Sequence, residues 1–336
     1  MVAKPPFCCV SPPRSNMETM GYIWYNGEKT QNKTKEVIKM NITFRNYIGA
    51  ASCTGDYDKV RAFFIKLADD CFTWARWDWM ITHTHLDHSA LERIGLWEYG
   101  DELVGITLFD TEPGEAFCYT MPGYEHLKGE ILTYALGHLQ RDGRLSVMID
   151  DTDTVMQSLA AKAGYIATES KDNTSCMVIC ETDFTYHLPE GFSVTSLKDT
   201  YDVERYGRVL HNGFNHKLNG EGDFMLTPEK ARAFENELVR RNVDLELKIA
   251  VVAPNGDFVS YCGMWYEHSL RTAVVEPVAT DPDYRRMGLG RAAVLEGVRR
   301  CAERGAERAL VGSSQQFYYS IGFRPYAAYT RWQKPE

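Results

Sequence analysis

Two stretches of this chain run through the same order of secondary-structure signals, and that repetition limits the possible folds more than any other feature. In the first, Ile42-Thr43-Phe44-Arg45-Asn46-Tyr47 alternates as a strand, and Asp56 to Trp74 carries Val60, Phe63, Phe64, Leu67 and Phe72 at helical spacing. Two strands, Ile94 to Glu98 and Leu103 to Phe109, then turn through Gly100-Asp101, and Glu115 to Tyr119 forms a third. A helix (Glu125 to Leu139), a strand (Arg144 to Ile149), a helix (Val155 to Ala163) closed by Gly164, and a strand from Tyr165 complete the unit. The second stretch opens with a strand at Phe192-Ser193-Val194 and helices over Asp202 to Asn212 and Pro228 to Arg241. A hairpin of Lys248 to Ala253 and Phe258 to Glu267 turns at Asn255-Gly256. A strand (Thr272 to Thr280), a helix (Gly290 to Arg304), a strand (Arg308 to Gly312), a short helix (Gln315 to Ile321) and a strand (Tyr326 to Trp332) follow. Ala163-Gly164-Tyr165 parallels Ile321-Gly322-Phe323. The expectation is a tandem α+β protein, each half a mixed central sheet flanked by helices, with the joint near Thr182 to Pro189.

A chain of 336 residues suits two domains, placed here at 41–185 and 186–336. Residues 1–40 show no sustained period and are assigned no fold, a tail or an extension. Within them, Cys8-Cys9 reads as part of the leader and Asn32-Lys33-Thr34 as a glycosylation-type tripeptide without consequence in the cytoplasm. No apolar run approaches the roughly 20 residues of a membrane span, and Pro5, Pro6, Pro12 and Pro13 interrupt any signal-peptide pattern, so a cytoplasmic location is expected. Nine cysteines, most inside apolar runs, read as small buried hydrophobes rather than a disulfide framework. The net charge of −9 argues against nucleic acid and anionic membranes as partners and is compatible with a small cationic one.

The densest chemical signal is Glu276-Pro277-Val278-Ala279-Thr280-Asp281-Pro282-Asp283-Tyr284-Arg285-Arg286-Met287-Gly288-Leu289-Gly290-Arg291: a strand, a Pro-stiffened turn and a Gly-rich bend opening a helix. Gly288 and Gly290 allow positive φ and close approach of a ligand to the backbone, and the positive end of the following helix favours a phosphate. Arg285, Arg286 and Arg291 add charge, which favours a diphosphate over a carboxylate.

Arg285-Arg286-Met287-Gly288-Leu289-Gly290 resembles the coenzyme A motif of the GNAT superfamily of N-acyltransferases, and Phe317-Tyr318-Tyr319-Ser320-Ile321-Gly322-Phe323 resembles its later Phe-Tyr segment. The resemblance covers about Phe192 to Gln333. It implies acetyl-coenzyme A as co-substrate, no metal, and direct transfer of acetyl to a primary amine of a small acceptor. It also implies that Val278, Ala279, Thr280, Arg285, Arg286, Met287, Gly288, Leu289, Gly290 and Arg291 hold the coenzyme, with Tyr318 facing its sulfur. A phenol suits a general acid for the leaving thiolate, and the attacking ammonium needs a base, for which Glu276 is the candidate, a salt-bridged strand carboxylate or a residue that only positions the acceptor being its other readings. For the acceptor, Phe214, Glu221, Asp223 and Trp265 are the candidates, Phe224 and Tyr266 being further aromatic wall residues, and solvated loop charges are the alternative for each taken singly. A coenzyme A or metabolite sensor without turnover is the alternative.

The first half lacks this motif. After its third strand the chain reads Thr120-Met121-Pro122-Gly123-Tyr124-Glu125-His126-Leu127-Lys128-Gly129, with one Gly before the helix and acid at Glu125 and Glu130, a poor phosphate site. A degenerate, non-binding half is expected. His83-Thr84-His85-Leu86-Asp87-His88 has the letters of a dizinc hydrolase signature. Its flanks, Trp74 to Met80 before and Ser89-Ala90-Leu91-Glu92 after, are wrong for that site, and His126 and His138 lie in a helical pattern. A polar loop is the expectation, with zinc hydrolysis a remote alternative.

Overall fold

A computed structural model describes residues 41–335; the leader, with Cys8, Cys9 and Asn32-Lys33-Thr34, lies outside the described residues. The first half contains β1 (Ile42–Asn46), α1 (Tyr57–Leu67), α2 (Trp74–Met80), β2 (Gly95–Tyr99), β3 (Glu102–Leu108), β4 (Glu115–Thr120), α3 (Lys128–His138), β5 (Ser146–Asp150), α4 (Thr154–Lys162) and β6 (Ile166–Val178). The second contains β7 (Ser193–Ser196), α5 (Val203–Gly213), α6 (Pro228–Leu238), β8 (Lys248–Val252), β9 (Phe258–Glu267), β10 (Thr272–Thr280), α7 (Leu289–Glu303), β11 (Arg308–Val311), α8 (Gln316–Ser320) and β12 (Arg324–Gln333). The order strand, helix, helix, three strands, helix, strand, helix, strand occurs twice.

All twelve strands form one sheet, in the order β1-β2-β3-β4-β5-β12-β6-β11-β10-β9-β8-β7. Read from either edge, that order visits equivalent strands of the two halves, so a pseudo-twofold axis passes between β12 and β6. The halves exchange their last strands. β6, from the first half, pairs with β11, placing Cys176 opposite Leu310, while β12 pairs with β5, placing Thr330 opposite Ile149. β6 and β12 then pair with each other. Only β4/β5 and β10/β11 are parallel, and each of these pairs is held over just three residues before the strands part. Two openings in the sheet result, one per half, at equivalent places.

The apolar cores follow from this arrangement. The largest cluster gathers Phe64, Phe72, Trp77, Ile106 and Phe109 of the first half with Trp265, Val274 and Leu310 of the second. A second packs Val294, Leu295 and Val298 of α7 against Ile249, Met264 and Val275. Truncating a buried ring such as Trp77 would cost roughly 3–5 kcal/mol.

The region expected as one helix from Asp56 to Trp74 is two. α1 stops at Ala68, which takes up a left-handed conformation. The Asp69 carboxylate then accepts the N–H groups of Cys71 and Phe72 at 2.9 Å, and Thr73 caps α2 through the N–H of Arg76. Local side-chain acceptors thus compete with the helical ladder, and the break turns Arg76 toward the second half.

Candidate functional site

The opening between β10 and β11 carries the site. β10 breaks register on β9 between Val275, opposite Met264, and Val278, opposite Cys262, so Glu276 and Pro277 together face Gly263. The bulge closes over Gly263, where a side chain has no room: a Cβ there would lie 2.4 Å from the Glu276 carbonyl oxygen. The Trp265 indole donates to that same carbonyl at 3.0 Å, and the strand leaves the bulge toward the cradle as Val278-Ala279-Thr280.

Beyond Thr280 the chain is tied down residue by residue. Pro282–Tyr284 makes a single 3-10 turn, capped by Asp281, and Asn212 of α5 donates to Asp281 at 2.6 Å. The Arg285 guanidinium folds back onto the carbonyls of Thr280 (3.1 Å) and Gly213 (2.9 Å) and onto Asn215 Oδ1 (2.6 Å). Arg285 therefore holds the turn to α5. Arg286 and Gly288 have positive φ, 67° and 81°, and Gly288 begins α7 with no side-chain cap. Leu289 is buried and anchors the first turn, Met287 is exposed, and Arg291 donates to the Ser320 carbonyl at 3.3 Å. A Cβ at Gly290 would stand 3.1 Å from Thr280 Oγ1 and 3.4 Å from Phe317, so small size is required there. A left-handed glycine, the start of a 15-residue helix and exposed arginines fit a diphosphate.

Where β10 and β11 part lies a cavity of about 500 Å³, lined from both halves. Phe214, Glu276, Val278 and Tyr318 reach it from the second half, and Arg76, Trp79, Asp110 and Asp172 from the first. Tyr318 is buried, and that burial, with the nearby Cys262 and Glu276, pushes its phenol well above its ordinary value. It stays protonated at any working pH. Burial also raises the Glu276 carboxyl above the usual range, Arg76 pulling it back down and Asp110 pushing it up again. Arg76 bonds to Glu276 through Nη1 and to Asp110 through Nη2, with its guanidinium 4.7 Å from the centre of the Trp79 ring.

Of the sequence candidates, the structure brings Phe214, Glu276, Val278 and Tyr318 to one cavity. Glu221 and Asp223 are not among its lining residues. They lie on the surface, paired at 2.7 Å with His216 and Lys217 only a few residues away, because the turn from Lys217 to Gly222 closes on itself. Trp265 stands behind β10, under the ammonium of Lys248 at 3.8 Å, and the Tyr266 hydroxyl is bonded to Arg304. Phe224 packs beside His211 and Phe234. Sequence reasoning missed Arg76 and Asp110. A Trp-rich helix start was the sole hint, since the Arg76–Glu276 contact spans 200 positions.

The equivalent opening between β4 and β5 holds a cavity of about 390 Å³ lined by charges of the first half, among them Glu125, Lys128, Asp150 and Asp153. The Glu125 carboxylate accepts the Gly123 N–H at 2.9 Å, and Lys128, the first residue of α3, pairs with Asp153, the cap of α4, at 2.6 Å. In the His83 to His88 segment, His83 packs tilted against Trp79, ring centres 4.1 Å apart, and burial pushes its imidazole down to about 4, while Asp87 caps the turn at Ser89. Among the described residues no group of three or more His, Cys, Asp or Glu side chains is placed to hold a metal ion, and no helix is long and apolar enough to cross a membrane.

Residues 221–323 match the model of the acetyltransferase (GNAT) family. No curated protein matches the sequence. Among solved structures, a GCN5-related N-acetyltransferase from Sphaerobacter thermophilus is similar over 87% of this chain and 95% of its own, with 15% identity and a TM-score of 0.56. A tandem GNAT protein from the clavulanic acid biosynthesis pathway is similar over 88% and 100%, at 14% identity and a TM-score of 0.55. A GNAT-family acetyltransferase from Colwellia psychrerythraea follows, over 87% and 100%, at 10% identity and a TM-score of 0.54. These structures share the fold.

Proposed function

From a chain whose second half carries a GNAT acyltransferase domain, we propose that acetyl is moved from acetyl-coenzyme A directly to a primary amine of a small cationic acceptor. The observation that carries this reading is the placement of Glu276 and Tyr318 in one cavity at the point where β10 parts from β11, with the phosphate cradle at the far end of the same strand. Arg286, the backbone at Gly288 to Gly290 and Arg291 hold the diphosphate, Arg285 serving instead to tie the turn to α5, and the pantetheine runs along Val278-Ala279-Thr280 toward Tyr318. The acceptor enters the cavity between the halves, whose wall carries Asp70, Asp110, Glu115, Asp172 and Glu276 and so favours a cation.

Glu276, with a carboxyl raised by burial, takes a proton from the bound ammonium. The freed amine attacks the thioester carbonyl, the carbon–sulfur bond breaks, Tyr318 gives its proton to the leaving thiolate, and the second proton shed by the acylated nitrogen restores the phenol. Backbone N–H groups at the Val278 bulge polarise the carbonyl. Glu125 and Lys128, engaged in the first half's own contacts, leave one coenzyme site per chain.

Calorimetric titration of acetyl-coenzyme A into the wild type and into a Gly288→Glu, Gly290→Glu double variant, both checked for folding, tests the reading. One micromolar site, lost in the variant, is expected, followed by turnover in a screen of primary amines. A folded wild type without binding would sink it.

A further inference from the structure

We propose that Arg76 is a positioning residue for this transfer: reaching in from the first half, it holds the Glu276 carboxylate against the cavity wall with one arm while the other grips Asp110. The inference rests on the reading of Glu276 as the base. Its geometry stands apart from that reading. Arg76 is fixed at its root by the Thr73 cap on its own N–H and along its plane by Trp79. Its two nitrogens divide between two carboxylates, Glu276 on the bulge and Asp110 just after β3. The second oxygen of Asp110 is buried with no hydrogen-bond partner among the described residues, so its charge bears on Glu276 with little competition. A planar guanidinium is suited to such a two-armed clamp; an ammonium offers only a point charge.

The charged groups that act most on Glu276 oppose one another, while the carboxylates of Asp70, Glu115 and Asp172 lie on the same cavity wall. Arg76 from α2 and, behind the strand, Lys248 from β8 favour the carboxylate. Asp110 opposes it, and burial opposes it most. Tyr318 from α8 is neutral through the working range. Removing Arg76 must therefore move the Glu276 titration up, and removing Asp110 must move it down. A residue that merely props the cavity open would not give opposite shifts.

The test is a carboxyl carbon-13 titration of Glu276 in the full-length chain, assigned with Glu276→Gln, in the wild type, Arg76→Gln, Arg76→Lys and Asp110→Asn. A second measurement is the pH dependence of kcat/KM for acetyl transfer to 1,3-diaminopropane. Arg76→Gln is expected to raise the Glu276 midpoint, and the acid limb of kcat/KM with it, by about one pH unit or more. Asp110→Asn should lower both, and Arg76→Lys should restore the midpoint while kcat stays reduced at least several-fold. Where Arg76→Gln fails to fold, the Asp110→Asn and Arg76→Lys pair decides. A Glu276 midpoint indifferent to both positions overturns the inference. Opposite NMR shifts with an unmoved acid limb overturn Glu276 as the base, and Arg76 as a positioning residue with it. A wild type inactive toward the diamine counts against the amine reading above and leaves the NMR shifts to decide the Arg76 clamp.

Discussion

The α-carbon of Gly263 lies so close under Glu276 that a Cβ added to it would stand 2.4 Å from the Glu276 carbonyl oxygen. The bulge that presents Glu276 to the cavity thus depends on a residue with no side chain on the neighbouring strand. In Gly263→Ala the bulge has to shift, at a cost of about 1–3 kcal/mol, and the Trp265 bond to the same carbonyl lengthens with it. Chemical denaturation should show the loss, and, with Glu276 as the proposed base, kcat should fall by more than KM changes, because Glu276 is displaced while the bend at Gly288 is left intact.

Tyr318→Phe removes one oxygen from a buried ring in contact with Phe317 and Phe323. Acetyl-coenzyme A affinity and thermal stability should stay close to wild type while kcat falls by about 10²–10⁴. Because burial raises the phenol, Tyr318 puts no basic limb on the wild-type profile below its ordinary value. A basic limb that appears below pH 9 and vanishes in Tyr318→Phe would contradict this.

Strand exchange predicts that neither half folds alone. A fragment of 186–336 lacks β6, which lies between β11 and β12 in the sheet, and so leaves the edge of β11 bare. Each fragment made separately should aggregate or lack a cooperative unfolding transition. Fragments 41–185 and 186–336 produced together should co-purify one to one, readable by size-exclusion chromatography and circular dichroism.

Asp78 sets a stability test in pH. Its carboxylate is buried, takes the Tyr57 hydroxyl and pairs with Arg61 at 3.0 Å. Burial nonetheless pushes it up to about 6 from an ordinary 3.8, Arg61 pulling the other way. Between those values the folded chain holds a proton that the unfolded chain has released, so stability falls as pH rises from about 4 to 6. The slope is at most about 1.4 kcal/mol per pH unit from this group. Denaturation midpoints across that window should decline more steeply for the wild type than for Asp78→Asn, and parallel curves would refute the assignment.

The sequence carried much of the local detail. Alternation at Ile42 to Tyr47 and in the two hairpins, helical spacing in α1, α5 and α7, and the glycines at 288 and 290 all report interactions between near neighbours, which side-chain period and backbone freedom record directly. The stop at Ala68 escaped because Phe72 continued the helical period while Asp69, two residues from Cys71, captured the N–H groups the helix needed. Glu221 and Asp223 read as cation ligands for the same reason that they are not at the cavity: their partners, His216 and Lys217, are local.

What the sequence alone determined, then, is the repeated order of elements, the position of the Gly-rich bend that opens α7, and Tyr318 and Glu276 as candidates. Only the tertiary structure decided that β6 and β12 change places, that the cavity belongs to both halves, and that Arg76 is the group facing Glu276. The reason is range. Periodicity and capping act over a few residues along the chain, whereas strand pairing across the pseudo-twofold axis and an ion pair between positions 76 and 276 depend on how a whole sheet closes.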